Sequence, residues 1–466
     1  METVVHQQFP GWVSYATINR EWQDVIEKEN YQKLNLEVPC LDELNVVVPS
    51  HKRHLVKHIW FEIELPRDAC SCSARWNPPP SNASKIVSQA IMKLFTTLSV
   101  WDQGSLTLEL NVFSPSDSGH WFRPLYFSDD RIEGDDGPVV NDPKHGWVDG
   151  KQISPAPEEV VRRAFQPIEL DTSFEREPLP SVICATRFVI RRQLRRCISP
   201  AGLSAMLEAL PLMEHMGYEP WALPDDASLD RRRDHVKALR HAMLQQLSKA
   251  VTSLVVFQDS RDFYKVLPPQ QPSKDTINTM AIRDGLGDIF ARKSLRLKHL
   301  AVSFMADAKD VLRHCRPAWT WPQLKSVALT SQLLRDHPDA DEDTRSRIED
   351  LLCRAAALAK HMPELDTLVL WNGAKGHAGA FICRVRGCRV SITWRGTWRL
   401  EMSPRVVEAW NSVASTRSWH ETEIHQERVL GAVNCVGDAI HHLRLPCQVV
   451  EPASLWQMRR EGNLVP

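Results

Sequence analysis

Short apolar strands that alternate with helical stretches are the dominant pattern of this chain. Seven segments share the spacing L-x-x-L-x-L or a close variant of it, with Val, Ile, Met or aromatic residues at some apolar positions. They are Val56–Phe61, Leu106–Leu110, Met213–Tyr218, Val251–Val256, Leu297–Val302, Leu324–Leu329 and Leu365–Leu370. Because side chains two positions apart on a strand lie on the same face, the pattern predicts a series of short strands with one buried face each.

The segments between these strands have helical periodicity. They cover Ala83–Leu98, Pro200–Leu210, Arg231–Leu247 and Asp343–His361. In the last of these, apolar residues from Ile348 to Ala359 recur at spacings of three and four and mark one helical face. Strands in alternation with helices indicate an α/β chain with a largely parallel sheet.

The last strand motif carries additional information. It continues from Leu365 through Leu370 to Asn372, giving L-x-x-L-x-L-x-N, the core of a leucine-rich repeat. The spacing between motifs is uneven, so we predict an irregular leucine-rich-repeat-like β/α solenoid with an N-terminal helical cap. A doubly wound sheet is the alternative, but its strands are typically rich in Val and Ile and not built on a repeated Leu spacing.

Two parts of the chain interrupt or precede this pattern. Ser14–Glu29 has one apolar stripe and predicts a helix, followed by an extended segment at Tyr31–Leu36. We therefore expect a helical segment over residues 1–36 and the solenoid over 37–466. Residues 114–180 are rich in Pro, Gly and Asp and predict a long loop insertion in the second part.

The strongest charge feature is the run RRQLRR at residues 191–196. With Ile190, Leu194 and Ile198 four residues apart, it predicts an amphipathic helix with a solvated Arg face. A nuclear-import or phosphate-binding patch is the alternative. Near the C-terminus, Cys388–Met402 predicts a strand or hairpin around Gly396 with buried Trp residues, an exposed Trp platform being the alternative. A final strand is expected at Gln448–Val450.

Composition limits the class of function. The chain has 466 residues, 57 basic and 58 acidic side chains, and a net charge of −1, which argues against a general nucleic-acid or membrane binder. It contains 11 Cys, an odd number without a dense framework, which is typical of a reduced intracellular protein. No signal peptide or apolar run long enough to span a bilayer is evident, so we expect a soluble cytoplasmic or nuclear protein.

Candidate chemistry is sparse. Nucleophile-elbow, P-loop, Rossmann and H-E-x-x-H motifs are absent. Cys70-x-Cys72 and Cys383-x₄-Cys388 lack a matching second half of a zinc site. The acidic residues 129–142 lack the calcium-loop pattern, and Asp117 with His120 is a local cluster of a kind common in loops. We therefore predict no enzyme activity, no metal and no cofactor, with an unrecognised enzyme using the 114–180 insertion as the remaining alternative.

The N-terminal segment resembles the second half of an F-box. The resemblance rests on Tyr15-Ala-Thr-Ile-Asn-Arg-Glu-Trp-Gln-Asp-Val-Ile-Glu and the following Tyr31-Gln-Lys-Leu-Asn-Leu. The opening Leu-Pro helix of an F-box has no counterpart in Met1–Gly11, so we expect a truncated N-terminal F-box. Further segments make the chain similar to a filamentous-fungal F-box-like protein family of unknown function. They are His58-Ile-Trp-Phe-Glu-Ile-Glu-Leu, His120-Trp-Phe, Tyr218-Glu-Pro-Trp, Leu329-Thr-Ser and Leu370-Trp-Asn-Gly.

This resemblance implies a protein-binding scaffold that serves as the substrate-recognition subunit of a cullin-type ubiquitin ligase. It implies the Skp-type adaptor as a partner, with Ile18, Trp22 and Ile26 as the apolar anchors that contact it. The alternatives are an ordinary capping helix at these positions and a binding scaffold that has lost adaptor docking. The expected partner is a protein, not a nucleic acid or a membrane.

Overall fold

A computed structural model defines the conformation of most of the chain. The described residues are 12–67, 82–116, 119–122, 141–157, 160–161, 164–165, 167–170, 178–222, 229–259, 286–335, 342–386, 389–416 and 422–464. None of the helices in these ranges has the length and hydrophobicity that a bilayer crossing requires.

Twelve strands form one large sheet, and two more form a small hairpin. The strands are β1 (Lys33–Glu37), β2 (His58–Glu64), β3 (Leu106–Phe113), β4 (Trp147–Val148), β5 (Lys151–Gln152), β6 (Ala185–Ile190), β7 (His215–Tyr218), β8 (Ser253–Phe257), β9 (His299–Ser303), β10 (Ser326–Thr330), β11 (Thr367–Ala374), β12 (His377–Arg386), β13 (Arg389–Gly396) and β14 (Thr422–Arg428). Strands β4 and β5 form a separate two-stranded sheet. All seven strand motifs of the sequence lie on or lead into strands of the large sheet.

The strand order in the large sheet follows the chain order from β1 to β14 without reversal. Neighbouring strands are parallel except at β11–β12 and β12–β13, which are antiparallel. The α/β class is therefore confirmed, with a mostly parallel sheet. A doubly wound sheet reverses its strand order at a switch point, and this sheet does not.

Within the described ranges, ten α-helices with defined bounds lie between or beside the strands. They are α1 (Arg20–Gln32), α2 (Leu44–Val47), α3 (Ala83–Leu98), α4 (Pro200–Glu208), α5 (Leu229–His241), α6 (Ala308–His314), α7 (Glu342–Ala359), α8 (Pro404–Thr416), α9 (Val436–Leu443) and α10 (Pro452–Gly462). Residues 286–294 are also helical. The helical stretches predicted between the strands are present, with shifts of a few residues at their ends.

The connecting helices pack against one face of the sheet, here called the first face. The Leu-x-Leu positions of the strand motifs point into this core, as Leu300, Val302, Leu368 and Leu370 do, and all four side chains are buried. Helices α3, α4, α6, α7 and α8 contribute their apolar stripes to the same cluster. The repeated apolar spacing is thus explained by burial on one continuous face.

The opposite face, here called the second face, is covered in part by the C-terminal helices. Ala439 and Ile440 of α9 and Met458 of α10 pack against the second-face side chains of β8–β12. The approach is close enough that a Cβ on Gly373 would lie 2.4 Å from the Cβ of Ala439. Glycine at 373 is required by this contact. The strand predicted at Gln448–Val450 is wrong, because these residues turn between α9 and α10.

The N-terminal helix begins later than the sequence pattern predicts. Trp12–Thr17 is a 3-10 helix, and α1 starts at Arg20 because the Asn19 side chain accepts a hydrogen bond from the Trp22 backbone N–H at 2.9 Å. Residues 33–36, which end the predicted N-terminal segment, form β1 together with Glu37 and pair in parallel with β2.

The predicted insertion at 114–180 lies between β3 and β6, and much of it falls outside the described residues. Its described part contains the β4–β5 hairpin and an apolar cluster in which Phe165 packs against Trp221, with ring centroids 4.8 Å apart. This part of the insertion therefore packs against Trp221, which follows β7.

Candidate functional site

The three predicted adaptor anchors differ in accessibility. Ile18 is 59% exposed and lies at the break before α1, whereas Ile26 is 1% exposed and packs inside the chain. Trp22 is half-buried, with its ring centroid 5.6 Å from that of Tyr15, which is 41% exposed. Ile18, Tyr15 and Trp22 therefore lie together at one accessible corner. The Ile26 side chain is buried inside the chain and is not available to a partner.

A polar groove of about 720 Å³ lies beside this corner. It runs between α1 and the segment Ser50–Leu55, where Lys52 binds Glu27 at 2.8 Å. The hydrogen bond from Lys52 lowers the pKa of Glu27. The lining includes Asn19, Gln23 and His51 and no Phe, Tyr or Trp, so the groove offers hydrogen bonds and charges to a ligand.

A continuous row of polar side chains crosses the second face near the starts of the strands. The strand register places one residue of each strand in this row. Its members are Lys33, His58, Thr107, Arg187, His215, Ser253, His299, Ser326, Thr367, Arg384, Ser391 and Glu423. We call this set the polar row. Each of these side chains is at least partly accessible to solvent.

The repeated motif explains the row. In L-x-x-L-x-L the second x precedes a core residue on the strand, so its side chain points to the second face. In β9 this position is His299, beside the core residue Leu300, and in β10 it is Ser326, beside Val327. The sequence signal for this surface was the pair of x positions between the first and second apolar residues of the motif. Both positions are polar in six of the seven motifs: Lys57-His58, Glu214-His215, Thr252-Ser253, Lys298-His299, Lys325-Ser326 and Asp366-Thr367.

Positive charge lies beside the centre of the polar row, on the lysines that precede its members on β9 and β10. Lys298 and Lys325 are exposed at the starts of neighbouring strands, and their backbones are joined by a hydrogen bond from Lys325 N–H to the Lys298 carbonyl at 2.7 Å. Burial, followed by the charges of His215 and Lys325, lowers the pKa of His299. Burial and the Arg187 charge lower the pKa of His215. Burial is the larger cause of both shifts, and neighbouring cations add to it.

The row continues inward as a buried ionic network at the ends of β3, β6 and β7. On β3, the Glu109 carboxylate binds the guanidinium of Arg191 and lies 3.0 Å from His58 Nε2. Arg192 is 3% exposed and binds Asp259 and Glu461, the latter at 2.8 Å. These contacts join the sheet to α10, which contains Glu461.

The prediction of an amphipathic helix with a solvated Arg face over residues 190–198 is wrong. β6 ends at Ile190, a turn follows, and Arg191, Arg192 and Arg195 are all buried. Carboxylates that neutralise these guanidinium groups come from residues far away in the chain, and local periodicity cannot indicate them. The burial of all three also removes the basis for an exposed phosphate-binding patch on this run.

Glu219 connects β7 to the start of α10. Its carboxylate accepts hydrogen bonds from the backbone N–H of Glu451 at 2.6 Å, from the Ser454 hydroxyl at 2.5 Å and from the Arg192 backbone N–H at 3.0 Å. Burial, and secondly the negative charge of Glu451, raises the pKa of Glu219 to about 7, although these hydrogen bonds oppose the shift. The Glu219 carboxyl group therefore holds the start of α10 through its hydrogen bonds with Glu451 and Ser454. It does not need an ion pair for this role.

Other sequence candidates contribute less. Cys70, Cys72, Asp117, the acidic residues up to 140 and Cys388 lie outside the described residues. Asp142 is described and binds His145 Nδ1 at 2.8 Å. Within the described part of the chain, no group of three or more His, Cys, Asp or Glu side chains has the arrangement of a metal site.

The Trp residues near the C-terminus are core residues. Trp394 is 1% exposed and donates a hydrogen bond to the Trp398 carbonyl at 2.9 Å, and their rings are 4.7 Å apart. Strand β13 ends at Gly396, and its hairpin with β12 turns before Arg389 and not at Gly396. The expected burial of these Trp side chains is confirmed for Trp394.

Comparison with known proteins gives one match. Residues 246–451 are similar to a family of unknown function (DUF6546), a region that includes β8–β14, Lys298, His299 and Lys325 but not β1–β7. No curated protein and no solved structure matches the chain.

Proposed function

We propose that this protein is a protein-binding scaffold, built as an irregular leucine-rich-repeat-like β/α solenoid, that holds a partner along the polar row. The observation that carries the proposal is the row itself, in which all twelve strands of the sheet present a polar side chain on the face opposite the connecting helices. In solenoids, the strand face is an extended binding surface because each repeat adds one strand beside the last.

The chain-order sheet supports the solenoid. Parallel strands from β1 to β11 that follow the chain, with described helices packed on the first face, are what a series of stacked β/α units produces. Asn372 supports it further, since its buried side-chain amide donates to the Ser331 carbonyl of the neighbouring unit at 2.7 Å. This is the role expected of the Asn in L-x-x-L-x-L-x-N. The antiparallel strands β12 and β13 depart from the repeat.

An enzyme is the weaker candidate. The most chemically suggestive group on the second face, His58 with Glu109 and Arg191, is bonded internally, and Gln193 also donates to Glu109 at 3.3 Å. A general base needs its lone pair directed at a substrate. Here these groups bond to each other, which favours a structural role in joining β2, β3 and the segment after β6.

A site-specific crosslinking experiment tests the scaffold. A photo-crosslinking amino acid is placed at Ser253, in the middle of the polar row, and in a second variant at Lys360, which is exposed on the helix side. The scaffold predicts one discrete protein adduct from position 253 in host cells and none of that protein from position 360. Identical adducts at both positions, or none at 253 in a folded protein, would contradict it.

A second candidate function follows from the accessible corner formed by Tyr15, Ile18 and Trp22. We propose that these side chains dock a Skp-type adaptor, so that the protein acts in the cytoplasm or nucleus as the recognition subunit of a cullin-type ubiquitin ligase. Such a subunit raises the local concentration of its target beside the ligase and performs no covalent step itself. The exposed Ile18 is the observation that favours docking at this corner.

Co-purification with the host Skp-type adaptor tests this second function. The informative variants are Ile18→Asp and Trp22→Ala, with Lys28→Ala on exposed α1 surface as the control. Ile26 is unsuitable because its replacement by a charged residue would disrupt the core. Loss of the complex in the first two variants alone supports docking, whereas no complex with the folded wild type excludes it.

A further inference from the structure

We propose that the centre of the polar row, together with the lysines that directly precede it on β9 and β10, binds a short acidic segment of the partner protein in extended conformation. The surface, here called the cationic patch, consists of Lys298, His299 and Lys325, with Arg187 and His215 beside them. This inference rests on the proposed scaffold function and names the chemistry of its ligand.

Two neighbouring lysines form the centre of the cationic patch. Lys298 and Lys325 lie at the starts of β9 and β10, which are adjacent and parallel, so their Cα atoms are roughly one strand spacing, about 4.8 Å, apart. Both side chains are exposed, and in the described part of the chain neither has an ion-pair partner. Two neighbouring cations repel each other, and a bound anion would relieve that repulsion.

The imidazoles extend the patch toward β6. His299 precedes Leu300 on β9 and bonds to the Ser326 hydroxyl through Nδ1 at 2.9 Å, and His215 occupies the same row two strands away. Arg187 is next in the row, with its guanidinium held by Glu451 and its side chain 38% exposed. The lowered pKa values of both histidines fit a surface of positive potential.

Acidic side chains mark the limits of the patch. Glu214 lies at the start of β7 and Asp366 at the start of β11, and both are exposed. Four strand spacings separate them, or about 19 Å, which an extended chain covers in roughly six residues. A short acidic stretch fits between these carboxylates, whereas a continuous phosphate backbone would meet like charge at both ends.

The composition of the row also favours a peptide over a nucleic acid. Single-stranded nucleic acids are usually held by aromatic side chains on which the bases stack. The polar row contains no Phe, Tyr or Trp, and Trp60, the nearest aromatic on β2, is 1% exposed. Ser, Thr and His side chains instead offer hydrogen bonds to peptide groups along the row.

Fluorescence anisotropy with a defined probe tests the proposal. The probe is a labelled peptide of alternating Glu and Ser flanked by neutral residues, and the matched peptide has Gln in place of Glu. The test variant is Lys298→Glu with Lys325→Glu. The control is Lys309→Glu with Lys360→Glu, which makes the same charge change at two exposed positions on the helix side.

The expected result is that the Glu peptide binds the wild type and the control alike, and binds the test variant about tenfold more weakly. Added salt should weaken the binding, since exposed charges are screened. Equal loss in both double variants, equal binding of the Gln peptide, or tighter binding of an oligothymidylate than of the Glu peptide would overturn the proposal. If crosslinking at Ser253 captures a partner while the Glu peptide does not bind, the scaffold function stands and this inference alone fails.

Discussion

Arg187 and Glu451 are 264 positions apart in the chain, yet the Arg187 Nη2 atom lies 2.6 and 2.8 Å from the two carboxylate oxygens of Glu451. Arg187 belongs to the middle of the sheet and Glu451 to the start of α10. The pair therefore marks where the C-terminal helices meet the second face. Gly217 makes room for it, because a Cβ there would lie 2.7 Å from Glu451 Oε1.

The ionic network behind this pair should dominate the attachment of α10. We expect Arg192→Ala to lower the free energy of unfolding by about 3–5 kcal/mol, because it leaves the buried carboxylate of Glu461 with only the longer 3.7 Å contact to Arg195. The cation–π contact with Trp221, 4.8 Å from the guanidinium to the ring centroid, would also be lost. Urea denaturation followed by Trp fluorescence measures the effect.

Arg233→Ala is the matched control for Arg192→Ala. Arg233 is 62% exposed, and its contact with Asp230 at 3.6 Å lies on the surface of α5. Its removal should change the free energy of unfolding by less than about 0.5 kcal/mol. Similar losses for both variants would show that the buried network does not hold α10.

Glu219 should make the stability of the protein depend on pH. Its pKa is raised from an ordinary value of 4.5 to about 7 in the folded protein, chiefly by burial. Between these values the folded state holds a proton that the unfolded state has released, so the contribution of Glu219 to stability falls as the pH rises. Each pKa unit corresponds to about 1.4 kcal/mol, so the whole fall amounts to a few kcal/mol.

Glu219→Gln isolates this contribution, since the other titrating groups remain in both proteins. The free energy of unfolding of the wild type should fall more steeply than that of Glu219→Gln between mildly acidic and mildly alkaline pH. Above neutral pH the two curves should run in parallel. Parallel curves across the whole range would show that Glu219 stays ionised in the folded protein.

Sequence patterns predicted the first face of the sheet well and the second face poorly. The Leu spacing that gives L-x-x-L-x-L reports burial within each short segment, and strands β2, β3 and β7–β11 follow it. β6 was missed because the Arg residues that follow it resemble an amphipathic helix. Their carboxylate partners, such as Asp259 and Glu461, come from distant elements that local periodicity does not reveal.

The predicted anchors on α1 show the same limit. The sequence pattern placed Ile18, Trp22 and Ile26 on one helical face. The helix begins only after Asn19, whose side chain caps it. Ile18 therefore lies outside the helix and is exposed, while Ile26 is buried. A stripe on a helix can indicate which residues are apolar, but not whether the chain itself or a partner covers them.

These two isoleucines give a direct comparison. We expect Ile26→Ala to cost about 2–5 kcal/mol, because it removes buried methyl groups and leaves a cavity. Ile18→Ala should change stability by less than about 0.5 kcal/mol. Thermal and urea unfolding of both variants measure the difference, and a large loss for Ile18→Ala would mean that its side chain is covered in solution.

Asn372 should be a stabilising residue of the repeat. Its amide donates to the Ser331 carbonyl, so Asn372→Ala removes the partner of a buried acceptor and should cost about 1–3 kcal/mol. Asn372→Asp should cost more, because a carboxylate cannot donate to that carbonyl. Asn30→Ala, on the exposed surface of α1, is the control and should be neutral. Equal stability of Asn372→Ala and the wild type would remove this support for a leucine-rich-repeat-like unit.

Protonation of His215 and His299 should strengthen the binding of the Glu peptide to the cationic patch. The pKa of each imidazole lies below its ordinary value of 6.5, through burial and the surrounding charges of Arg187, Lys298 and Lys325, with Glu214 and Asp366 acting in the opposite direction. The histidines are therefore less charged at pH 7 than ordinary imidazoles and gain charge as the pH falls. Glu side chains of the peptide stay ionised down to a pH of about 5, so attraction grows over this interval.

A titration of peptide affinity from pH 8 to about 5.5 checks this expectation, since the ordinary pKa values of His and Glu lie on either side of that lower limit. The wild type should bind more tightly as the pH falls, and the variant with His215→Ala and His299→Ala should keep a nearly constant affinity. His241→Ala with His361→Ala, at positions outside the polar row, is the matched control and should follow the wild type. An unchanged pH dependence in the His215 and His299 variant would assign the effect to other groups. It would leave Lys298, Lys325 and Arg187 as the supported cations of the patch.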